Sequence, residues 1–228
     1  LTGIYLKLGD TAKGAAYAQR AAEETGDPFL TEQAMYGYFM LAQGEECLEL
    51  AEAALKEDPD SFIALSYAGR AAMLLDDYPA VADYGVRLSD IAKESDDPYA
   101  DYMLYQFVSY LTVEDSWYAM SDRFPGAACY HELPEEQLKQ IQENEYLNAY
   151  IQAFAASTDN TVVDLGYYRW EDPEGERALE LADALISMKE EAGFPHYIRG
   201  MVLNGVDRYE EAIREYTAAL AQQPDEHY

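Results

Sequence analysis

The side chains best suited to chemistry in this sequence are Cys129 and His131, which lie two positions apart. A thiol beside an imidazole forms an activated nucleophile, and both side chains are ligands for zinc. On a helix, however, residues at i and i+2 point apart, and the sequence supplies no set of four ligands around this pair. The other two histidines, His196 and His227, are expected at the surface and in the C-terminal tail. We therefore predict neither catalysis nor metal binding by these residues.

Paired carboxylates are the second candidates for chemistry, because two carboxylates can divide the roles of acid and base. Asp76–Asp77 and Glu210–Glu211 are such pairs, but a chain with 44 acidic residues contains them by chance. Nothing apolar surrounds them that would raise a carboxyl pKa. The chain also has no glycine-rich phosphate loop, H-E-x-x-H motif, G-x-S-x-G motif or calcium loop. We predict a protein that is not an enzyme, with no catalytic residue, no cofactor and no metal ligand.

Composition excludes several other classes of protein. With 15 basic and 44 acidic residues, the net charge is −29, which opposes nucleic-acid binding because a phosphate backbone requires Lys and Arg. The two cysteines are too few for a disulfide scaffold. No apolar run approaches the ~20 residues of a membrane-spanning helix, so we expect no membrane insertion. The hydrophobic fraction of 49% is too high for a disordered acidic tail.

The N-terminal residues bear on the origin of the chain. It begins Leu1-Thr2-Gly3, without a methionine or a signal peptide, and we expect it to be a fragment of a longer protein. The compartment stays open between the cytoplasm and a soluble domain of an anchored or exported protein.

Helices are the elements that must position any site in this chain. Near the C-terminus, an apolar segment from Phe194 to Leu203 is followed by a turn at Asn204–Gly205. A second segment begins at Tyr209 and ends before Pro224. Its apolar residues follow the three-four spacing of one helix face and are Tyr209, Ala212, Ile213, Tyr216, Ala219 and Leu220.

This pattern recurs at a shift of 34 residues, which places Gly166 under Gly200 and Ala178 under Ala212. We predict one solenoid domain over residues 1–228. Its parts are a partial repeat at 1–27, degenerate repeats at 28–60 and 61–96, irregular helices at 97–158, and repeats at 159–192 and 193–225. The irregular part contains an inserted loop at 114–133, followed by a long helix from Pro134 to about Ala156.

Helix pairs of this length, with small residues at helix contacts and a closing proline, resemble the tetratricopeptide repeat family. The motif is strongest at Tyr197, Gly200, Leu203, Tyr209, Ala212, Tyr216, Ala219 and Pro224. The resemblance implies an all-α right-handed superhelix of antiparallel helix pairs, here with about 12 helices. Small residues should let neighbouring helix backbones approach closely; these are Gly69, Gly166, Gly200, Ala54, Ala178, Ala212 and Ala219.

In this family the first helix of each pair lines a concave groove. The candidate groove residues on those helices are Tyr36, Phe39, Met40, Arg70, Met73, Tyr167, Trp170, Tyr197 and Met201. The family's best-known grooves hold a C-terminal carboxylate with several Lys, Arg and Asn residues. On comparable faces this sequence has Glu32, Ser66, Val163 and Tyr197, with Arg70 as the one basic residue, which argues against such a clamp.

The leading hypothesis is therefore a scaffold that binds a peptide or protein segment, with apolar or basic segments favoured by aromatic walls in an acidic body. One alternative is a structural module that self-associates through uncapped solenoid ends, giving a homo-oligomer or continuing into further repeats. Another is a small-ligand or glycan site, built on the groove aromatics or near Trp117, Cys129 and His131 in the inserted loop.

Overall fold

The computed structural model describes residues 10–112, 129–158 and 174–222, and every regular element in these ranges is helical. The bounds of the eleven α-helices in this part of the chain are α1 Thr11–Thr25, α2 Pro28–Met40, α3 Gly44–Glu57, α4 Phe62–Leu74, α5 Tyr78–Glu94, α6 Pro98–Thr112, α7 Glu135–Glu143, α8 Glu145–Thr158, α9 Glu174–Met188, α10 Gly193–Gly205 and α11 Tyr209–Ala221. A short 3₁₀ helix, Cys129–Glu132, precedes α7. No helix in the described ranges is long and apolar enough to cross a bilayer.

The helices pack as antiparallel pairs, which confirms the all-α fold expected from the repeat pattern. The contacts are extensive between α1 and α2, between α4 and α5, and between α10 and α11. Contacts between helices of different pairs place α2 against α4, α4 against α6, and α6 against α10. These four helices form a row. The repeat boundaries proposed from the sequence stay a prediction.

Side-chain caps set where several helices begin. Asp27 accepts a hydrogen bond from the Phe29 amide at 3.0 Å, and Pro28 occupies the first helical position of α2. Asp77 accepts from the Ala80 amide at 3.3 Å before α5, which carries Pro79 in its first turn. A carboxylate oxygen satisfies an otherwise unpaired amide of the first turn, and proline has no amide to leave unpaired. The helix starts are therefore local properties of the sequence.

Three of the helix hairpins turn in the same way. The turn residues Ala42, Asp76 and Asp207 have φ values of 54°, 54° and 61°, in the left-handed region. Each turn is closed by a backbone hydrogen bond that spans five residues: Gln43 to Tyr38 at 3.0 Å, Asp77 to Ala72 at 3.0 Å, and Arg208 to Leu203 at 2.9 Å. This bond satisfies carbonyls at the end of the first helix and reverses the chain. Ala42 and Asp76 lie 34 residues apart, so the turn itself repeats.

Glycines at helix contacts bring the pairs close together. The ring of Phe107 on α6 lies against Gly69 of α4 and Gly85 of α5, where an added Cβ would come within 2.6 Å of a ring carbon in either case. Gly200 of α10 faces the ring of Tyr216 at the same distance. Gly69 and Gly200 thus have the contact role expected from the sequence. Ala178, Ala212 and Ala219 are buried, Ala54 is half-buried, and Gly166 lies outside the described residues.

The long helix predicted from Pro134 to about Ala156 is wrong, because Asn144 divides it into α7 and α8. Asn144 has extended backbone angles, with φ −83° and ψ 102°. Its Oδ1 accepts the amide of Leu147 at 2.9 Å and the hydroxyl of Ser89, while its amide donates to Asp90 Oδ1 at 2.7 Å. An asparagine that caps a helix start and binds a neighbouring helix is more stable outside a continuous helix than within one.

A buried carboxylate positions α10 against α6. Ala192 precedes α10 and has no side chain that could cap it. Asp101 of α6 supplies the cap instead, since its Oδ2 accepts the Phe194 amide at 2.9 Å while its Oδ1 faces the Tyr150 hydroxyl at 3.5 Å. Nearby, Lys189 donates to two carbonyls at the end of α5, at 2.6 and 2.7 Å. The bonds of Asp101 to Phe194 and of Lys189 to the two carbonyls join residues that are more than ninety positions apart in the sequence.

Candidate functional site

Two adjoining cavities run along the row formed by α2, α4, α6 and α10. The first has a volume of about 170 Å³, and we call it the Arg70 cleft; its lining includes Glu32, Gln33, Tyr36, Phe39, Tyr67, Arg70, Tyr99 and Tyr110. The second has a volume of about 570 Å³, and we call it the Tyr197 cavity; its lining includes Tyr105, Phe194, Tyr197, Tyr216 and Leu220. Tyr102 and Gln106 of α6 line both. We call the two together the tyrosine groove.

The walls of the tyrosine groove are a succession of touching aromatic rings. Tyr99 stacks on Tyr102 with ring centroids 5.4 Å apart, and Tyr102 lies 5.5 Å from Phe194. Phe194 in turn stacks on Tyr105 at 4.4 Å, and Tyr105 meets Tyr197 edge to face at 5.9 Å. Rings that support one another in this way form a firm surface that is apolar on its faces and carries hydroxyl groups at its edges.

Arg70 lies at the base of the smaller cleft and is only 3% exposed. Its guanidinium carbon is 4.1 Å from the centre of the Tyr67 ring, 5.1 Å from that of Phe39 and 5.6 Å from that of Tyr110. Its Nε donates to the Ser66 carbonyl at 3.3 Å, whereas its Nη2 is buried and has no hydrogen-bond partner. The aromatic faces stabilise the cation, but they leave a strong donor unused.

Glu32 is the acidic residue of the same cleft. Its carboxylate accepts a hydrogen bond from the hydroxyl of Tyr99 and therefore points towards α6. Burial and this bond to Glu32 raise the pKa of Tyr99, and burial likewise raises the pKa of Tyr67. Both phenols are therefore neutral at physiological pH, and Tyr99 donates its hydroxyl hydrogen to Glu32.

The structure brings together four of the nine groove residues named from the sequence. Tyr36, Phe39 and Arg70 line the Arg70 cleft, and Tyr197 lines the larger cavity. Met40 and Met201 are half-buried against the core, and Met73 is 2% exposed within it, so Met73 offers no surface to a ligand. Tyr167 and Trp170 lie outside the described residues. A binding role for these side chains stays a prediction.

The sequence-based list omitted the helix that contributes most to the groove. Tyr99, Tyr102, Tyr105 and Gln106 all belong to α6, in the part of the chain that the sequence marks as irregular helices. The core face of α6 consists instead of residues such as Phe107, Val108 and Leu111. One feature of the sequence could have identified this face of α6. Tyr102 and Gln106 follow Tyr99 at distances of three and seven residues, a spacing that places all three side chains on one face of a helix.

The cysteine and histidine side chains outside the tyrosine groove show no sign of a reactive site in the described ranges. Cys47 is fully buried, and burial raises the pKa of its thiol to about 12. His196 forms a hydrogen bond with Glu215 at 2.7 Å on the α10–α11 pair. Cys129 and His131 lie on the short 3₁₀ helix, while Trp117 and His227 fall outside the described residues. Within the described ranges, no group of three or more His, Cys, Asp or Glu residues is arranged to hold a metal ion.

Comparisons with known proteins give a likeness in structure but none in sequence. No protein-family model matches the chain, and no curated protein is similar to it in sequence. Among solved structures, it is similar to the crystal structure of yeast Tom70, with 14% sequence identity and a TM-score of 0.36. The match covers 98% of this chain and 47% of the Tom70 chain, so this chain spans about half of that protein. A likeness at this level transfers neither a partner nor an activity.

Proposed function

We propose that this protein is a non-enzymatic scaffold that binds a peptide or protein segment in the tyrosine groove. The observation that carries the proposal is the unbroken aromatic wall from the Arg70 cleft to the Tyr197 cavity, two cavities that share Tyr102 and Gln106. Tyrosine provides a large contact area at a small cost in side-chain entropy, and its hydroxyl bonds to a peptide backbone. An open groove along a row of helices suits an extended or helical segment.

The expected ligand has apolar side chains that enter the Tyr197 cavity. This cavity is large enough for aromatic or branched residues, and Leu220 and Ala219 add aliphatic surface to its rings. The body of the protein carries a net charge of −29, so basic residues that flank the apolar ones outside the groove would be attracted to it. That attraction should weaken as salt rises, because charges at the surface are screened over about 8 Å at physiological ionic strength.

A peptide array probed with the purified chain tests this proposal. Tyr197→Ala and Tyr36→Ala remove ring surface from the two cavities at partly exposed positions, where folding tolerates the change. Tyr209→Ala is the matched control, because Tyr209 is 56% exposed on α11 and lines neither cavity. Peptides that bind the unmodified chain should lose affinity for both groove variants and keep it for the control. No bound peptide at all, or equal loss in all three variants, would refute the proposal.

Self-association is the second candidate function, and one feature of α11 favours it. Tyr209, Ile213 and Leu220 fall on one side of this helix and are 56%, 64% and 68% exposed. Apolar residues at such spacing form a stripe that another helix could cover. Light scattering over a wide range of protein concentrations tests this role. A mass that stays that of the monomer would exclude it, whereas a larger mass that Ile213→Glu abolishes would support it.

A further inference from the structure

We propose that the Arg70 cleft binds an arginine side chain of the peptide ligand, with Glu32 as its ion-pair partner. This inference rests on the proposed peptide-binding function and specifies one residue that the ligand must carry. It starts from a half-buried carboxylate that lines a small cleft together with aromatic rings. A carboxylate that is partly removed from water gains from a cation with which it can form hydrogen bonds.

Within the described ranges, Glu32 forms no ion pair with a basic residue of its own chain. Its Oε1 accepts a hydrogen bond from the hydroxyl of Tyr99, which is neutral. Arg70 lines the same cleft, but its Nε donates to the Ser66 carbonyl and its Nη2 is sealed from the cleft. The second carboxylate oxygen of Glu32 therefore stays available to a ligand.

The rings of the cleft suit a guanidinium in particular. Tyr36, which is 41% exposed, and Tyr99 line the cleft beside Glu32. A guanidinium is planar and weakly hydrated, so it can lie on a ring face while its N–H groups point at a carboxylate. Arg70 shows that the rings of this cleft accommodate the group, because its guanidinium carbon lies 4.1 Å from the centre of the Tyr67 ring. The ammonium group of lysine is compact and strongly hydrated, so it fits such a stack less well.

The charges around the cleft both favour and oppose a second cation. Gln33 and Gln106 line the cleft with side-chain carbonyls that can accept hydrogen bonds from a guanidinium. The body of the protein, with a net charge of −29, attracts a cation from a distance. The positive charge of Arg70 opposes it, so the contact with Glu32 has to supply the preference for arginine. Substitution of this one carboxylate therefore tests the proposal.

The position of the cleft predicts where the arginine stands in the ligand. Tyr99 lines the cleft and Tyr105 lines the Tyr197 cavity, and the helix between them rises by about 9 Å. An extended peptide advances about 3.3 Å per residue and places every second side chain on the same side. An arginine four residues from an apolar residue, about 13 Å along an extended chain, therefore reaches the cleft while the apolar residue enters the cavity.

Three probes of the sequence N-acetyl-Phe-Gly-Ser-Gly-Xaa-Gly-Ser-Gly-Phe-amide test the proposal, with arginine, lysine or citrulline as Xaa. Citrulline has nearly the shape of arginine but is neutral. A phenylalanine stands four residues to either side of Xaa, so the peptide can run in either direction along the groove. Titration of the full chain, followed by calorimetry and by the NMR signals of the Gln33 and Gln106 side-chain amides, measures binding at the cleft itself.

The arginine probe should bind the unmodified chain about five- to tenfold more tightly than the citrulline probe, with the lysine probe in between, since a charge-assisted hydrogen bond is gained. Glu32→Gln should remove this preference, because glutamine can still accept the Tyr99 hydroxyl but carries no charge. Unchanged binding of the citrulline probe shows that this variant keeps its groove. Glu49→Gln is the matched control, since it makes the same change in net charge at an exposed position of α3 that lines neither cavity, and it should keep the preference.

The results separate this inference from the proposed function. If the arginine probe binds no more tightly than the citrulline probe, or if Glu32→Gln and Glu49→Gln weaken it equally, the inference is wrong. A lysine probe that matches the arginine probe would overturn the assignment to a guanidinium. Either result leaves the proposed function standing where array peptides bind and depend on Tyr197. If neither array peptides nor any probe binds, the proposed function fails as well.

Discussion

The carboxylate of Asp101 should make the protein less stable as the pH rises from about 4 to 6, and Asp101→Asn should remove this dependence. Burial raises the pKa of Asp101 from 3.8 to about 6, although the Phe194 amide, Lys189, Tyr150 and His196 favour the charged form. Since the folded state binds this proton more tightly than the unfolded state, the stabilising effect is complete below the unfolded pKa. It is lost as the pH rises through the folded pKa.

The size of the effect follows from the shift. A difference of about two pKa units corresponds to roughly 3 kcal/mol in the free energy of unfolding between pH 4 and 7, because each unit is worth about 1.4 kcal/mol. Asn is neutral at every pH, and its side-chain oxygen can still accept the Phe194 amide. The free energy of unfolding of Asp101→Asn should therefore rise by up to that amount relative to the unmodified chain across this interval.

Urea unfolding followed by circular dichroism, repeated at several pH values, measures this difference. The many other acidic residues titrate in both proteins, so their contribution cancels when the two curves are subtracted. Asp60→Asn, which removes one negative charge at an exposed position, serves as the control for the change in net charge. Parallel curves for Asp101→Asn and the unmodified chain, or a difference that falls with pH, would show that the account of Asp101 is mistaken.

Three further outcomes follow from the packing. Ala42→Gly should raise the free energy of unfolding by up to about 1 kcal/mol, because glycine adopts the φ of 54° without strain. Thermal unfolding measures this change, and the control Ala53→Gly, at an exposed position of α3, should instead lower the free energy of unfolding. Gly69→Ala should lower the free energy of unfolding by about 1–3 kcal/mol, since the new Cβ would meet the Phe107 ring at 2.6 Å. Adding Phe107→Leu to this variant should recover part of the loss, whereas additive losses in urea unfolding would contradict the account. Cys47 should not react with a thiol reagent in the native protein at pH 8, because its thiol is buried and its pKa is raised to about 12, and it should react once urea unfolds the chain; rapid native labelling would overturn this expectation.

The local sequence was sufficient to predict the helices and their pairing. Spacings of three and four residues predict one buried face per helix, while caps such as Asp27 with Pro28 mark where a helix begins. Both signals act within a few residues, so they do not depend on the rest of the fold. The same reasoning failed at Asn144, because the partners that hold this residue out of a helix include Ser89 and Asp90, more than fifty residues away.

The groove itself is a property of the tertiary structure. Its two cavities meet at Tyr102 and Gln106 of α6, and Asp101 of the same helix caps α10 at Phe194, a contact between residues 93 apart in the chain. The sequence identified Arg70, Tyr36 and Tyr197 as separate candidates on separate helices. Which side chains surround Arg70 depends on which helices pack around it, and in this packing its Nη2 has no hydrogen-bond partner. The sequence determines the type and spacing of the side chains, whereas the partners of a buried charge depend on how helices that are distant in the sequence pack together.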